Sequence, residues 1–178
     1  MSLGNLDDLF LQELKDIYDA EKQILKALPK MAKAVESEEL RAAIDEHHAV
    51  TEKQVERLEE VFQMLEKPAR GKKCVAMEGL LKEGSELLKE EAEPAVLDAA
   101  IIAAAQKVEH YEIAAYGTLA AFAEILGYED AKELLGETLE EEKETDETLT
   151  EIALQINYEA TDETEDVEEA AVGRRRGR

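Results

Sequence analysis

The run from Ala95 to Leu126 constrains this chain most, because Leu97, Ile101, Ala104 or Ala105, Val108, Ala115, Leu119, Phe122 and Leu126 recur there at spacings of three and four. That period predicts an α-helix with one apolar stripe. Pro94 in front suits a first helical turn, and Gly127 behind suits the C-terminal cap. Glu112 nevertheless falls on the stripe, and Glu109 lies beside it, within Gln106-Lys107-Val108-Glu109-His110-Tyr111-Glu112. Burying an ionised carboxylate without a partner is strongly unfavourable. The stretch therefore asks for a metal, a proton, a hydrogen-bonded partner, or a helix rotated so that its acids reach water.

The rest of the chain offers this helix partners of similar length. A first helix is expected from about Leu6 to Val35, capped by Asn5, with Leu6, Phe10, Leu14, Ile17, Glu21, Ile24, Leu28 and Met31 on one face and a kink at Pro29. Ser37 can cap a second helix from Glu38 to about Glu66, on the seam Leu40, Ile44, His47, Val50 or Thr51, Gln54, Leu58, Val61 and Leu65. The short turn makes these two antiparallel. After a loop holding Pro68, Gly71, Arg70, Lys72 and Lys73, a shorter helix is expected from Cys74 to Glu91. The last helix starts near Glu129 or Asp130, with Leu134 or Leu135, Thr138 or Leu139, Glu142, Thr145 or Asp146, Leu149, Ile152 and Ile156 inward. The connection between the second and third long helices can cross the whole bundle, making them parallel.

Composition narrows the class. Trp is absent and Pro occurs three times in 178 residues, while Ala, Leu, Glu and Lys dominate, which favours an all-α fold in one domain. A formal net charge of -23 argues against nonspecific binding to nucleic acid or to an anionic membrane, both of which need a basic surface. With Cys74 as its one cysteine, no intramolecular disulfide can form, and with no signal-like or membrane-spanning run the expectation is a cytoplasmic protein. We expect a bundle over residues 1–158 and a disordered tail over 159–178, acidic from Glu159 to Glu169 and basic at Arg174-Arg175-Arg176-Gly177-Arg178.

The acids share a level. Laying Leu14 to Ile24 over Ala105 to Ala115 places Ile17 on Val108, Tyr18 on Glu109 and Glu21 on Glu112. Glu21, the stretch from His47 to Gln54, Glu109 to Glu112, and Glu141 to Asp146 should then meet at mid-bundle. Carboxylates and imidazole suit iron, manganese or zinc. His47 can equally be a hydrogen-bonded core histidine, and Tyr18, Tyr111 and Tyr116 can donate to buried acids.

Four stretches carry a resemblance: Asp16-Ile17-Tyr18-Asp19-Ala20-Glu21-Lys22-Gln23, Lys73-Cys74-Val75-Ala76-Met77-Glu78-Gly79-Leu80, Ala103 to Ile113, and Glu137-Thr138-Leu139-Glu140-Glu141-Glu142-Lys143. Together they resemble the YciF-like stress proteins of the ferritin-like superfamily over about residues 5–157. The resemblance implies a ferritin-like four-helix bundle whose long crossover carries a short extra helix, commonly dimeric, with a dinuclear iron or manganese centre. It points to Glu21, His47, Glu109, Glu112 and Glu141 or Glu142 as ligands. Where the family pattern reads His-Leu-Glu-Glu-Thr, this chain has His47-His48-Ala49-Val50-Thr51, so a complete, a single-metal and an empty site all stay open. Two functional readings follow. One is a stress-response, metal-binding homodimer with oxidase or peroxide-consuming activity, and the other is a non-catalytic stress protein acting by dimerisation or partner binding.

Overall fold

The computed structural model describes residues 3–161, so the acidic run beyond Thr161 and the basic tip lie outside the described residues. Five helices follow one another: α1 Leu6–Ala34, α2 Glu38–Met64, α3 Val75–Leu87, α4 Pro94–Leu126 and α5 Glu129–Glu159. No strand occurs among the described residues. The caps read from the sequence act as such, since Asn5 accepts from the Asp8 N–H, Ser37 accepts from the Leu40 N–H, and Gly127 takes a left-handed φ of 76°.

Contacts between helices fix their directions. Buried Asp98, in the first turns of α4, accepts from the backbone N–H groups of Glu36 at 3.1 Å and Ser37 at 2.8 Å, so α4 begins where α1 ends and α2 starts. At the other end of α4, Tyr128 donates to Asp7 at the start of α1, 2.8 Å away. Thus α4 runs antiparallel to α1 and parallel to α2, as a crossover bundle requires. Arg57 of α2 meets Glu137 and Glu141 of α5, while His47 meets Thr145, so α2 and α5 are antiparallel.

The crossover climbs along α1. Lys72 N–H donates to the Lys15 carbonyl and Cys74 N–H to the Asp19 carboxylate, at 3.0 and 2.8 Å. Gly71 permits this approach, because a Cβ there would lie 3.0 Å from the Asp19 Cβ. Helix α3 then rests on α1 and α4, with Met77 its buried side chain and Leu80 and Leu81 half-buried.

Element boundaries differ from expectation where end chemistry outweighs periodicity. Cys74 is the cap of α3 rather than its first residue, its Sγ accepting from the Met77 N–H, and the helix stops at Leu87 rather than Glu91. Continuing it would place Glu90 and Glu91 against the negative end of the helix dipole. Helix α2 ends at Met64 because Glu66 turns to a φ of 54°, and α1 continues past Pro29 to Ala34.

Candidate metal centre

The central layer of the bundle holds acids from three helices and an imidazole from the fourth. Glu21 on α1, Glu109 and Glu112 on α4, Glu142 on α5 and His47 on α2 are all buried. One ligand atom from each of His47, Glu109, Glu112 and Glu142 lies within 4.8 Å of the others. The Glu21 carboxyl adjoins Glu112 and Glu142, and Tyr116 donates to its Oε1 through a short hydrogen bond. These side chains converge because each sits on the inward stripe of its helix, at a level set by the crossover topology.

Each of the six candidate residues has a clear place. Glu21, His47, Glu109, Glu112 and Glu142 meet in the core, whereas Glu141 turns aside. Arg57 grips Glu141 through two nitrogens, Nη1 at 2.6 Å and Nη2 at 2.7 Å, and Gln54 Nε2 adds a bond at 3.1 Å. The choice between Glu141 and Glu142, open in the sequence, is thereby made by α2. Of the three tyrosines, only Tyr116 donates into the cluster; Tyr111 donates to Asp16 and Tyr18 to Glu59, each at 2.6 Å.

Gln54 takes its expected place in the polar layer, whereas the part played by Arg57 has no signal in the helix pattern. Gln54 is fully buried with Oε1 unpartnered, and Arg57 decides the fate of Glu141. The departure at Ala49 and Val50 also shrinks, because Ala49 is exposed and only Val50 borders a cavity reaching His47 and Glu109.

Electrostatics show how strained such a grouping is when all its acids are charged. Burial first, then the charge of Glu142, pushes the Glu21 carboxyl up to about 8 despite the Tyr116 hydrogen bond. Burial likewise drives Glu142 up to about 7, against the opposing influence of nearby Glu109 and Gln54. Glu109 and Glu112 are held well above the carboxylate range by burial and then by neighbouring acids. Burial, followed by nearby His48, lowers His47 to about 4. Its Nε2 lies 3.5 Å from Glu109 Oε1. Burial would raise Glu141 as well, but the Arg57 hydrogen bonds hold it below its usual value.

With this geometry in hand, comparison with known proteins is direct. Residues 5–161 match the family described as domain of unknown function DUF892. The chain belongs to this family. It is 49% identical over 155 residues to protein YciF of Escherichia coli K12, covering 86% of this chain and 93% of that one. The crystal structure of the E. coli stress protein YciF superposes with a TM-score of 0.84 at 48% identity, over 87% of this chain and 98% of that one. YcfI of Rhodopseudomonas palustris, provisionally described as a structural protein, gives a TM-score of 0.82 at 47% identity, over 84% and 95% of the two chains. A Xanthomonas campestris protein at 22% identity shares the fold, with a TM-score of 0.69 over 87% and 94%. The resemblance seen in the four sequence stretches thus leads to the right family and the right bundle.

The donor set fits a metal. Among the described residues, every buried side-chain oxygen or nitrogen without a hydrogen-bond partner belongs to Glu21, His47, Gln54, Glu109, Glu112 or Glu142. Such atoms are costly unless a cation or proton meets them. Replacing Tyr116 by Phe tests the hydrogen-bonded edge of the cluster. Glu21 would lose its donor, and thermal unfolding should show a loss of about 1–3 kcal/mol in the metal-free protein at pH 6.

Proposed function

We propose that this chain is a stress-linked ferritin-like protein whose buried His/Glu cluster binds a divalent transition metal, iron or manganese, for oxidase or peroxide-consuming chemistry. One observation carries the reading: four of the six residues that hold unpartnered buried polar atoms among the described residues, His47, Glu109, Glu112 and Glu142, bring ligand atoms within 4.8 Å of one another. Glu109, Glu112, Glu142 and His47 would hold the ion, with Glu21 on the opposite edge under the Tyr116 hydroxyl. A mixed carboxylate and imidazole set is the chemistry iron and manganese accept. A reducing ion bound there would supply electrons to dioxygen or peroxide.

The chain's own residues account for the rest. Four buried carboxylates balance two divalent ions, or one ion and two protons, so with a single ion bound Glu21 and one other carboxyl keep their protons while two release theirs. Apolar packing by Ile24, Leu28 and Val108 lines the α1 and α4 side of His47 and Glu109. Tyr116 orients the Glu21 carboxyl, and Arg57 withdraws Glu141 so that a fifth acid does not crowd the centre. The same proposal includes a cytoplasmic homodimer. In support of the membrane-free part, no helix among the described residues is long and apolar enough to cross a membrane.

Metal analysis tests the reading. Full-length protein stripped of metal, incubated anaerobically with ferrous or manganous ion and desalted, should retain about one to two equivalents. Retention below about a tenth of an equivalent, with no thermal shift, would remove it. A second reading, that of a non-catalytic stress protein, is favoured by Val50, which supplies a wall rather than a ligand beside His47. On that reading protons alone settle the cluster, and no metal is retained.

A further inference from the structure

Three cavities share walls along one line through the bundle. The outermost, about 290 Å³, is a cleft between α1, α3 and α4 with Ala27, Met31, Leu81, Ile101, Ala104 and Val108 in its wall beside exposed Lys26, Lys30 and Ser85 and half-buried Gln23. Beneath it lies a void of about 20 Å³ that shares Ala27, Met31, Leu81 and Val108 with the cleft. Ile24, Leu28 and Ala105 complete its apolar wall, and its remaining lining residues are His47 and Glu109. The third cavity, about 180 Å³, reaches the same two residues from between α2 and α5, but Glu46, Glu141 and Glu144 line it.

These walls sort reactants by polarity. A space of this size holds one small molecule, and an apolar lining favours one that gives up no hydration shell on entering. Ions lose their hydration in the apolar void, and the lysines of the cleft above it repel cations, whereas the third cavity, whose walls include three acids, suits cations. Helix α3 covers the cleft lightly, with one fully buried side chain, Met77.

We propose that the cleft under α3 and the void below it form the route by which dioxygen reaches His47 and Glu109. The inference rests on the metal-binding reading for its purpose, since dioxygen needs a reductant at the end of the passage, but the route itself can be tested without metal. Xenon serves as the probe, because it enters dry apolar cavities. In full-length metal-free protein with labelled methyl groups, xenon pressure should shift the Ile24 methyl resonances, which line the void and neither of the two larger cavities. Ala27→Phe fills the junction of cleft and void and should abolish those shifts. Leu81→Ala widens the same junction and should enlarge them, which keeps the test open should the larger side chain disturb folding.

In protein loaded anaerobically with ferrous ion, Ala27→Phe should retain the same iron but consume dioxygen about fivefold or more slowly, and Leu81→Ala should consume it faster. Shifts confined to the outer cleft would overturn the route. So would Ala27→Phe protein that binds iron and reacts with dioxygen at the unaltered rate, since dioxygen would then arrive through the acidic opening. If the protein retains no iron, the metal-binding reading falls, and the xenon result alone decides whether an apolar passage reaches His47.

Discussion

Glu112→Gln should make the metal-free protein more stable at pH 8 while stripping it of metal. Both carboxylate oxygens of Glu112 are buried without a hydrogen-bond partner, and Glu21, Glu142 and Glu109 all act to raise its proton affinity. An amide of the same shape carries no charge and brings two donors to acceptors already waiting on those neighbours. Relief of repulsion and desolvation should amount to about 1–3 kcal/mol, a rise of several degrees in the melting midpoint. Differential scanning calorimetry measures the first effect and metal analysis the second. A variant that is less stable at pH 8 yet binds metal normally would show that Glu112 plays neither part. Glu141→Gln is the contrast: held by Arg57 outside the cluster, it should leave metal content unchanged.

The second large effect is a metal-dependent reversal in how stability responds to pH. Glu21 and Glu142 have folded values of about 8 and about 7 against 4.5 for an ordinary glutamate, so the folded chain holds protons that the unfolded chain gives up. Their contribution is whole below pH 4.5 and declines as pH rises, ending above about 7 for Glu142 and above about 8 for Glu21. His47 acts in the other direction. With its value lowered from 6.5 to about 4, its contribution is whole above pH 6.5 and lost as pH falls toward 4. The two trends oppose each other at intermediate pH, but above 6.5 only the carboxylates still change. Metal-free protein should therefore lose about 2–4 kcal/mol between pH 6.5 and 8. A divalent ion replaces the protons, so the loaded protein should hold its stability or gain across that window and release protons on binding. At an ion concentration 100-fold above the dissociation constant the gain is about 2.7 kcal/mol, or roughly 5–10 °C. Chemical denaturation at several pH values, with and without manganese, checks the crossing; a level metal-free curve from 6.5 to 8 would contradict it.

What was legible beforehand follows from the range over which each interaction acts. The helices, their caps at Asn5, Ser37 and Gly127, and the shared level of Glu21, His47 and Glu112 are consequences of local periodicity and backbone end chemistry, both written in consecutive residues. The crossover was legible too, because a long connection between parallel helices leaves few ways to bury four apolar stripes. The fine composition of the centre was not. Glu141 and Glu142 are neighbours on one helix, each within reach of an inward stripe, and nothing in their local pattern says which one an arginine 84 positions away will capture. Ala49 and Val50 looked like a double loss until the rotation of α2 placed Ala49 in solvent.

By itself, then, the sequence determined an all-helical bundle with an acidic layer at its middle, since helix period and length act along the chain. Only the tertiary structure decided that Tyr116 rather than Tyr111 serves the layer, that Arg57 removes Glu141 from it, and that a small, largely apolar void lies against His47 and Glu109. Each of those outcomes depends on the rotation and register of one helix against another, which are set by side-chain packing across the bundle rather than by neighbours in sequence.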